Sequence, residues 1–342
     1  PSLNYSLYKG PQKTPLLYDI LLRFRTFVYA LTADIEKAFH QISIDSDHRN
    51  FLRFLWFDDV FSDEPIIVHH RFARVIFGVT SSPYLLNSII RKHVGQYEFD
   101  NEFVNKVINS FYVADFSGGA NSLEDVYELF KKLKLRFIEG SFSLRKWRTN
   151  EPNLRKLIGD ENISSSKILG IIWIEKDDIL SFQFQEICDL AQNLKPTKRN
   201  ILKILSMFYD PIGLKQPVII NLKIIFQTIC KQKLLWDDDL PFDIANDWKN
   251  AIYVLNEIQE IKTPRKIICQ EKYVKSIELH GFSDASFQGY GACIYLRTLY
   301  ESGEISVNIV SAKSRVAPLK EITIPRMELL GNLVLTRLMN TV

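Results

Sequence analysis

The chain has 342 residues, of which 46% are hydrophobic and 24% charged, and its formal net charge is +3. This is an ordinary globular composition with room for two or three domains, and a charge so close to balance does not by itself argue for a nucleic-acid partner. Cys188, Cys230, Cys269 and Cys293 form no CxxC pair, which argues against a zinc site or a disulfide framework and fits a reducing intracellular setting. No run reaches the roughly eighteen apolar residues of a membrane span, and no basic-then-apolar signal pattern opens the chain.

In chain order, residues 1 to about 175 alternate short strand-like runs with helical runs, a mixed α/β pattern. ALTADIEKAFHQI reads as an apolar strand delivering Asp34. Ser81-Ser82-Pro83 followed by Leu86, Ile89, Ile90 and His93 predicts a capped helix with Pro in its first turn. A second apolar strand is expected from Val107 to Val113, leading to Asp115 in SFYVADFSGG. Ser122 with Asp125 has capping-box spacing, and Val126, Leu129, Phe130 and Leu133 then recur at helical spacing.

Basic residues cluster at 131–136, at 145–148, and at Lys195, Lys198 and Arg199; each cluster suits either phosphate neutralisation or a solvated helix face. From about 180 to 265 the pattern is mostly helical, broken at Asp210-Pro211 and Gly213. ELHGFSDASFQGYGACIYLR (278–297) alternates like two strands joined by a Gly-containing turn.

Asp34 and Asp115 lie eighty-one positions apart. Taken singly, each suits turn or cap chemistry. Two strands that each present a carboxylate also suit Mg²⁺, a hard cation held by one or two carboxylates and substrate phosphates. Paired ions of this kind serve nucleotidyl transfer.

The blocks LTADIEKAFHQI (31–42), RVIFGVTSSPYLLNSIIRKHV (74–94), FYVADFSGGANS (111–122), FSLRKW (142–147) and KILGIIW (167–173) resemble reverse transcriptases of BEL/Pao-type LTR retrotransposons. The resemblance continues through TKRNILKILSMFYDPIGL (197–214), FSDASFQGYGA (282–292) and IPRMELLG (324–331), so it covers almost the whole chain. It implies an α+β architecture in three segments. Partial fingers and a polymerase palm would occupy 1–178, a helical thumb and connection 179–270, and a truncated RNase H-like domain 271–342.

The family's turn reads Tyr-x-Asp-Asp, whereas this chain reads Tyr112-Val113-Ala114-Asp115, so Ala114 stands at the position of a metal-binding Asp. The resemblance assigns Asp34 and Asp115 to Mg²⁺ (or Mn²⁺), Lys146 to the triphosphate as charge stabiliser or general acid, and Phe39 to a gate against the 2′-hydroxyl. Phe77 and Gly78 match its nucleotide contact, and Leu169-Gly170 its primer-holding hairpin. Asp284 and Glu328 match two RNase H acids, with a third expected beyond Val342. Read alone, Phe39 suits a core aromatic, Gly78 a plain turn, and Lys146 a surface base beside Trp147.

The implied activity is RNA-directed DNA polymerisation on a primer–template from deoxynucleoside triphosphates, impaired here by Ala114. The alternative is a catalytically inactive nucleic-acid-binding remnant of a retroelement. Further expectations are partners from the same polyprotein, a cytoplasmic virus-like particle with a nuclear phase, and no membrane association. Both ends look cut from a longer reading frame, with finger strands missing before Ser2 and an RNase H-like part folded incompletely.

Overall fold

The computed structural model describes residues 2–97, 100–159, 165–269 and 272–342. It forms two compact units, Pro1–Leu16 with Tyr29–Glu161, and Leu17–Val28 with Asn162–Val342. Residues 17–28 are therefore built into the second unit although the chain on both sides of them belongs to the first. The segment boundary expected at 270/271 lies outside the described residues.

Of the two amino-terminal helices, α1 (Leu3–Ser6) belongs to the first unit and α2 (Leu17–Phe24) to the second. The first unit continues with β1 (Tyr29–Ile35), a 3-10 turn at Ala38–Gln41, and the hairpin of β2 (Arg53–Phe57) and β3 (Ile67–Arg71). Next come α3 (Ser82–Val94), α4 (Asn101–Ser110), β4 (Phe111–Tyr112), β5 (Asp115–Ala120), α5 (Leu123–Glu139), β6 (Leu144–Thr149) and α6 (Pro152–Ile158). The sheet is antiparallel in the order β4-β5-β1-β6. β1 and β5 are buried almost throughout, and apart from Tyr29 and the acids Asp34 and Asp115 their residues are apolar or small on both faces.

The expected helix after Ser122 is present. Its hydroxyl accepts the Asp125 N–H at 3.1 Å, and Val126, Leu129, Phe130 and Leu133 are buried as one stripe. Each such side chain contributes about 1.5–3 kcal/mol on burial. The helix at Ser82–Val94 also forms, with Pro83 in its first turn, but Ser81 makes no side-chain cap; the Ser82 hydroxyl donates instead to the Ile76 carbonyl at 2.7 Å.

The expected strand from Val107 to Val113 is corrected. Residues up to Ser110 close α4, which begins at an Asp100 cap accepting the Phe103 N–H, and only Phe111-Tyr112 is extended. Phe103 and Val107 face the core at helical spacing, and that packing decides the local conformation over the apolar run.

In the second unit, β7 (Ser166–Ile168), β8 (Ile171–Ile174), β9 (Ile179–Gln183) and a later strand, β10 (Glu260–Pro264), make an antiparallel sheet. The β7–β8 turn puts Leu169 and Gly170 both in the left-handed region, φ +46° and +86°, as a two-residue hairpin of the I′ kind requires. Between β9 and β10 lie α7 (Gln185–Asn193), α8 (Lys198–Ser206), α9 (Gln216–Lys231) and α10 (Phe242–Ile258), the expected helical segment with its break after Ser206. Ile187, Ile201, Ile204, Leu222, Trp248 and Leu255 share one core.

The chain closes with β11 (Val274–Ala285), β12 (Gly289–Tyr300), β13 (Ile305–Val316) and α11 (Ile324–Met339). β11-β12-β13 is antiparallel, and Val334 and Leu338 of α11 pack onto Ile294, Leu296 and Val310. This part thus has a core of its own, while Leu279 and Phe282 of β11 stay exposed.

The break between α8 and α9 is fastened to β13: the Ile212 carbonyl accepts from Ala312 N (3.1 Å) and Ser311 Oγ (2.9 Å). At Gly213, φ +83°, a Cβ would stand 1.6 Å from the Ala312 carbonyl oxygen. Gly213→Ala is expected to destabilise the protein by more than about 3 kcal/mol, backbone strain adding to the clash. Gly303→Ala, at the same φ but in open space, should cost only about 1–2 kcal/mol. Urea unfolding of the two variants checks the difference.

Candidate functional site

β1 and β5 pair in antiparallel register with Asp34 directly opposite Asp115. Cross-strand partners hold their Cβ atoms about 4.5–5.5 Å apart, so these carboxylates, far apart in sequence, are immediate neighbours. Asp115 is the first residue of β5, and Val113-Ala114 forms the turn from β4. Val113 has φ +57°, a conformation that a β-branched side chain adopts at a cost of about 1–2 kcal/mol. The Ala114 carbonyl accepts the Ile35 N–H at 3.0 Å, which locks the turn onto β1.

The third charged group is Lys146. The β1–β6 register shifts between Thr32 and Asp34, so that two residues of β6, Lys146 and Trp147, face the single residue Ala33. This is a β-bulge, with Lys146 at φ +53°. It turns Trp147 into the core, edge-on to Phe130 at 4.8 Å, and brings the Lys146 Nζ to 3.2 Å from Asp34 Oδ2. The next acid along, Glu36, pairs with Arg145 at 2.6 Å.

Asp115 is open to solvent on one edge and crowded by protein on the other. That loss of hydration raises its carboxyl above the ordinary value; the Asp34 charge adds to the rise and Lys146 opposes it.

Phe39 sits in the 3-10 turn and is 8% exposed, part of the core; it meets Phe77 edge-to-face at 4.9 Å, and Phe77 is 66% exposed. Gly78 is left-handed, φ +82°. Its carbonyl accepts from Asn4 Nδ2 at 2.8 Å, and Asn4 Oδ1 accepts the Thr80 N–H. Asn4 thus ties down the Gly78 loop from 74 positions away, a role that no sequence signal indicates.

In the second unit, Asp284 lies near the end of β11 and its carboxylate accepts the Ala285 N–H. Gly331 of α11 rests on the Asp284 backbone, its absent Cβ only 3.4 Å from that carbonyl, and Ser283 donates to Asn332 at 2.7 Å. Glu328 is one helical turn before Gly331, on the same side of α11.

Of the two readings of the basic clusters, the ion pairs that several of their members make favour the solvated face. Lys132 pairs with Asp100 and Glu128, Arg136 with Glu139, Arg145 with Glu36, Arg199 bidentately with Asp237, and Lys195 with Asp239. Lys198 donates to the Leu234 carbonyl and lies over the Trp236 ring.

A pair of Mg²⁺ ions needs a cluster of oxygen ligands. Here two carboxylates converge, the Ala114 side chain is a methyl, its carbonyl is engaged, and Asp34 already holds an ammonium. The donor set does not fit a two-ion centre. Among the described residues, no group of three or more His, Cys, Asp or Glu side chains is arranged to hold a metal ion.

A family model described as a Pao retrotransposon-like RNaseH-like domain matches residues 197–342. The Pao-type resemblance is borne out over these residues. That match begins at the cap of α8 and takes in α8 to α10 as well as β11–β13 and α11. Among solved structures, the foamy viral protease-reverse transcriptase in complex with an RNA/DNA hybrid is similar at 16% identity and TM-score 0.58, over 97% of this chain and 39% of that one. The foamy viral protease-reverse transcriptase dRH in complex with double-stranded DNA gives 16% and 0.59, over 97% of this chain and 51% of that one. The chain therefore shares the mixed α+β fold of these structures and spans about half of their length or less. Among curated proteins, no sequence match is found.

The raised carboxyl of Asp115 carries a sign. Its charged form is worse accommodated in the folded than in the unfolded chain, so ionisation weakens folding as pH rises from the unfolded value through the folded one. Asp115→Asn should melt higher than the native chain at neutral pH, by no more than about 3 °C because solvent screens an exposed group, and the difference should vanish in acid where Asp115 is neutral in both states. Thermal melts across pH check this.

Proposed function

We propose that the chain is the polymerase and RNase H region of a Pao-type retroelement, and that it binds an RNA or DNA primer–template while supporting little or no nucleotidyl transfer. The observation that carries this is the in-register pairing of Asp34 with Asp115 beside a turn whose second residue is Ala114. Adjacent carboxylates at a hairpin turn are what metal-dependent phosphoryl transfer requires, and a methyl in place of the third removes a ligand from chemistry that is nearly all positioning and electrostatics.

In this reading the first unit is the palm with partial fingers, α7 to α10 form thumb and connection, and β11–β13 with α11 form the RNase H-like part carrying Asp284 and Glu328. Phe39, Phe77 and Gly78 would line the path of a deoxynucleoside triphosphate. Leu169-Gly170 would support the primer end by backbone shape. Asp34 and Asp115 would share at most one weakly held Mg²⁺ or Mn²⁺, and no two-ion transfer is assigned to them. The nucleic-acid complexes in which the similar foamy viral structures were solved support the class of partner. Other parts of a polyprotein, and a cytoplasmic particle with a nuclear phase, complete the proposal.

The binding arm is tested with a primer–template duplex: affinity should fall steadily as salt rises. The catalytic arm compares primer extension by the native chain and by Ala114→Asp, with a gain of about two orders of magnitude expected from restoring one charged group aimed at the reacting phosphate. Extension by the native chain as fast as by the variant would overturn the reading of Ala114, and absence of salt-dependent binding would overturn the reading as a whole.

A further inference from the structure

The misfit between this donor set and a metal pair leaves a question of charge. Two carboxylates on neighbouring strands repel each other, and some cation must balance them if the turn is to stay closed. The chain supplies one. Lys146 reaches Asp34 at 3.2 Å only because of the bulge in β6, and the bulge is held from both sides. Trp147 is fixed in the core against Phe130, its indole N–H donating to the Leu144 carbonyl at 3.1 Å, and Arg145 is occupied by Glu36. The fold therefore fixes the Lys146 backbone at the bulge, and from there its ammonium reaches Asp34.

From this we infer that Lys146 is the resident counter-ion of the Asp34–Asp115 pair, and that the centre keeps its shape and takes up nucleic acid without a divalent metal. The second half of this statement rests on the proposed binding of primer–template; the first stands on the geometry alone. Lys146 acts here as a positioning residue: it holds Asp34, and through the paired strands Asp115, in place. Its side chain is 76% exposed and that of Asp34 29%, so the ion pair is readily exchanged. Competition from Lys146 accordingly weakens a divalent ion at Asp34 by about fivefold, and the lost third carboxylate accounts for the remainder of the deficit.

The test uses the whole chain, first without nucleic acid. Binding of Mn²⁺ alone is followed by the spectroscopic signal of the free ion, and melting is measured in chelator and in millimolar Mg²⁺. The native chain should melt at the same temperature in both. Lys146→Gln should melt lower in chelator, recover with Mg²⁺, and bind Mn²⁺ about fivefold more tightly than the native chain. Lys146→Arg, which keeps the cation, should resemble the native chain, and Ala114→Asp should gain divalent-dependent melting with Lys146 still present.

The inference is overturned if the native chain melts higher with Mg²⁺, or if Lys146→Gln binds Mn²⁺ no more tightly than the native chain. Should Lys146→Gln fail to fold even with Mg²⁺, failure of Lys146→Arg to fold as well would likewise overturn it. Primer–template affinity is then compared in chelator and in Mg²⁺. Equal affinities are expected. Affinity that needs Mg²⁺ sinks the metal-free half alone, whereas no affinity under either condition sinks the proposed function and leaves the metal measurements standing.

Discussion

Two buried guanidinium groups organise the second unit. Arg265 is fully buried and uses all five of its N–H groups: two go to Asp178, at 2.6 Å each, and three to the carbonyls of Phe24, Phe27 and Val28. Arg25 returns the gesture, donating to the carbonyls of Arg265, Pro264 and Val310. Burial and the neighbouring Arg265 charge push the Arg25 guanidinium down to about 10, still charged at neutral pH. An arrangement of this kind adds little net stability over apolar packing, yet losing one partner strands a charge in the core. Its effect is therefore to specify: residues 17–28 have one place to be. The carbonyl of Val28 is held, and β1 begins at the next residue, five positions before Asp34.

Much of the carboxylate pair was legible in the sequence, because strands and capped helices are local patterns. Asp34 in its apolar run and the Ser122 cap with its stripe of Val126, Leu129, Phe130 and Leu133 follow from short-range stereochemistry, whereas the Leu169-Gly170 turn was legible only through the family resemblance. The stretch 107–113 misled because a short apolar run has no period of its own to separate strand from helix. A better signal was present in Asp100, whose carboxylate caps Phe103 and starts α4.

What the sequence could not disclose are pairings across long separations. Arg25 and Arg265 are 240 positions apart, and each reads alone as a surface base. Asp237 and Asp239 meet Arg199 and Lys195 from another turn of chain, partners that the sequence of the cluster does not reveal. The aim of Lys146 depends on a bulge, which is a property of two strands together and not of either one. Charge clusters and single acids are thus weak guides to an interface until their partners are known.

Three non-glycine residues around the acidic pair, Lys37, Val113 and Lys146, occupy the left-handed region of backbone space, at φ +49°, +57° and +53°. Each conformation is unfavourable alone by about 1–2 kcal/mol and persists only because the surrounding sheet leaves no alternative. The strain is already borne by the folded chain, so a ligand arriving there meets a preorganised backbone and has little ordering left to do. The same rigidity makes the site a poor improviser: a molecule that needs the turn to open must first loosen its hydrogen bond to β1.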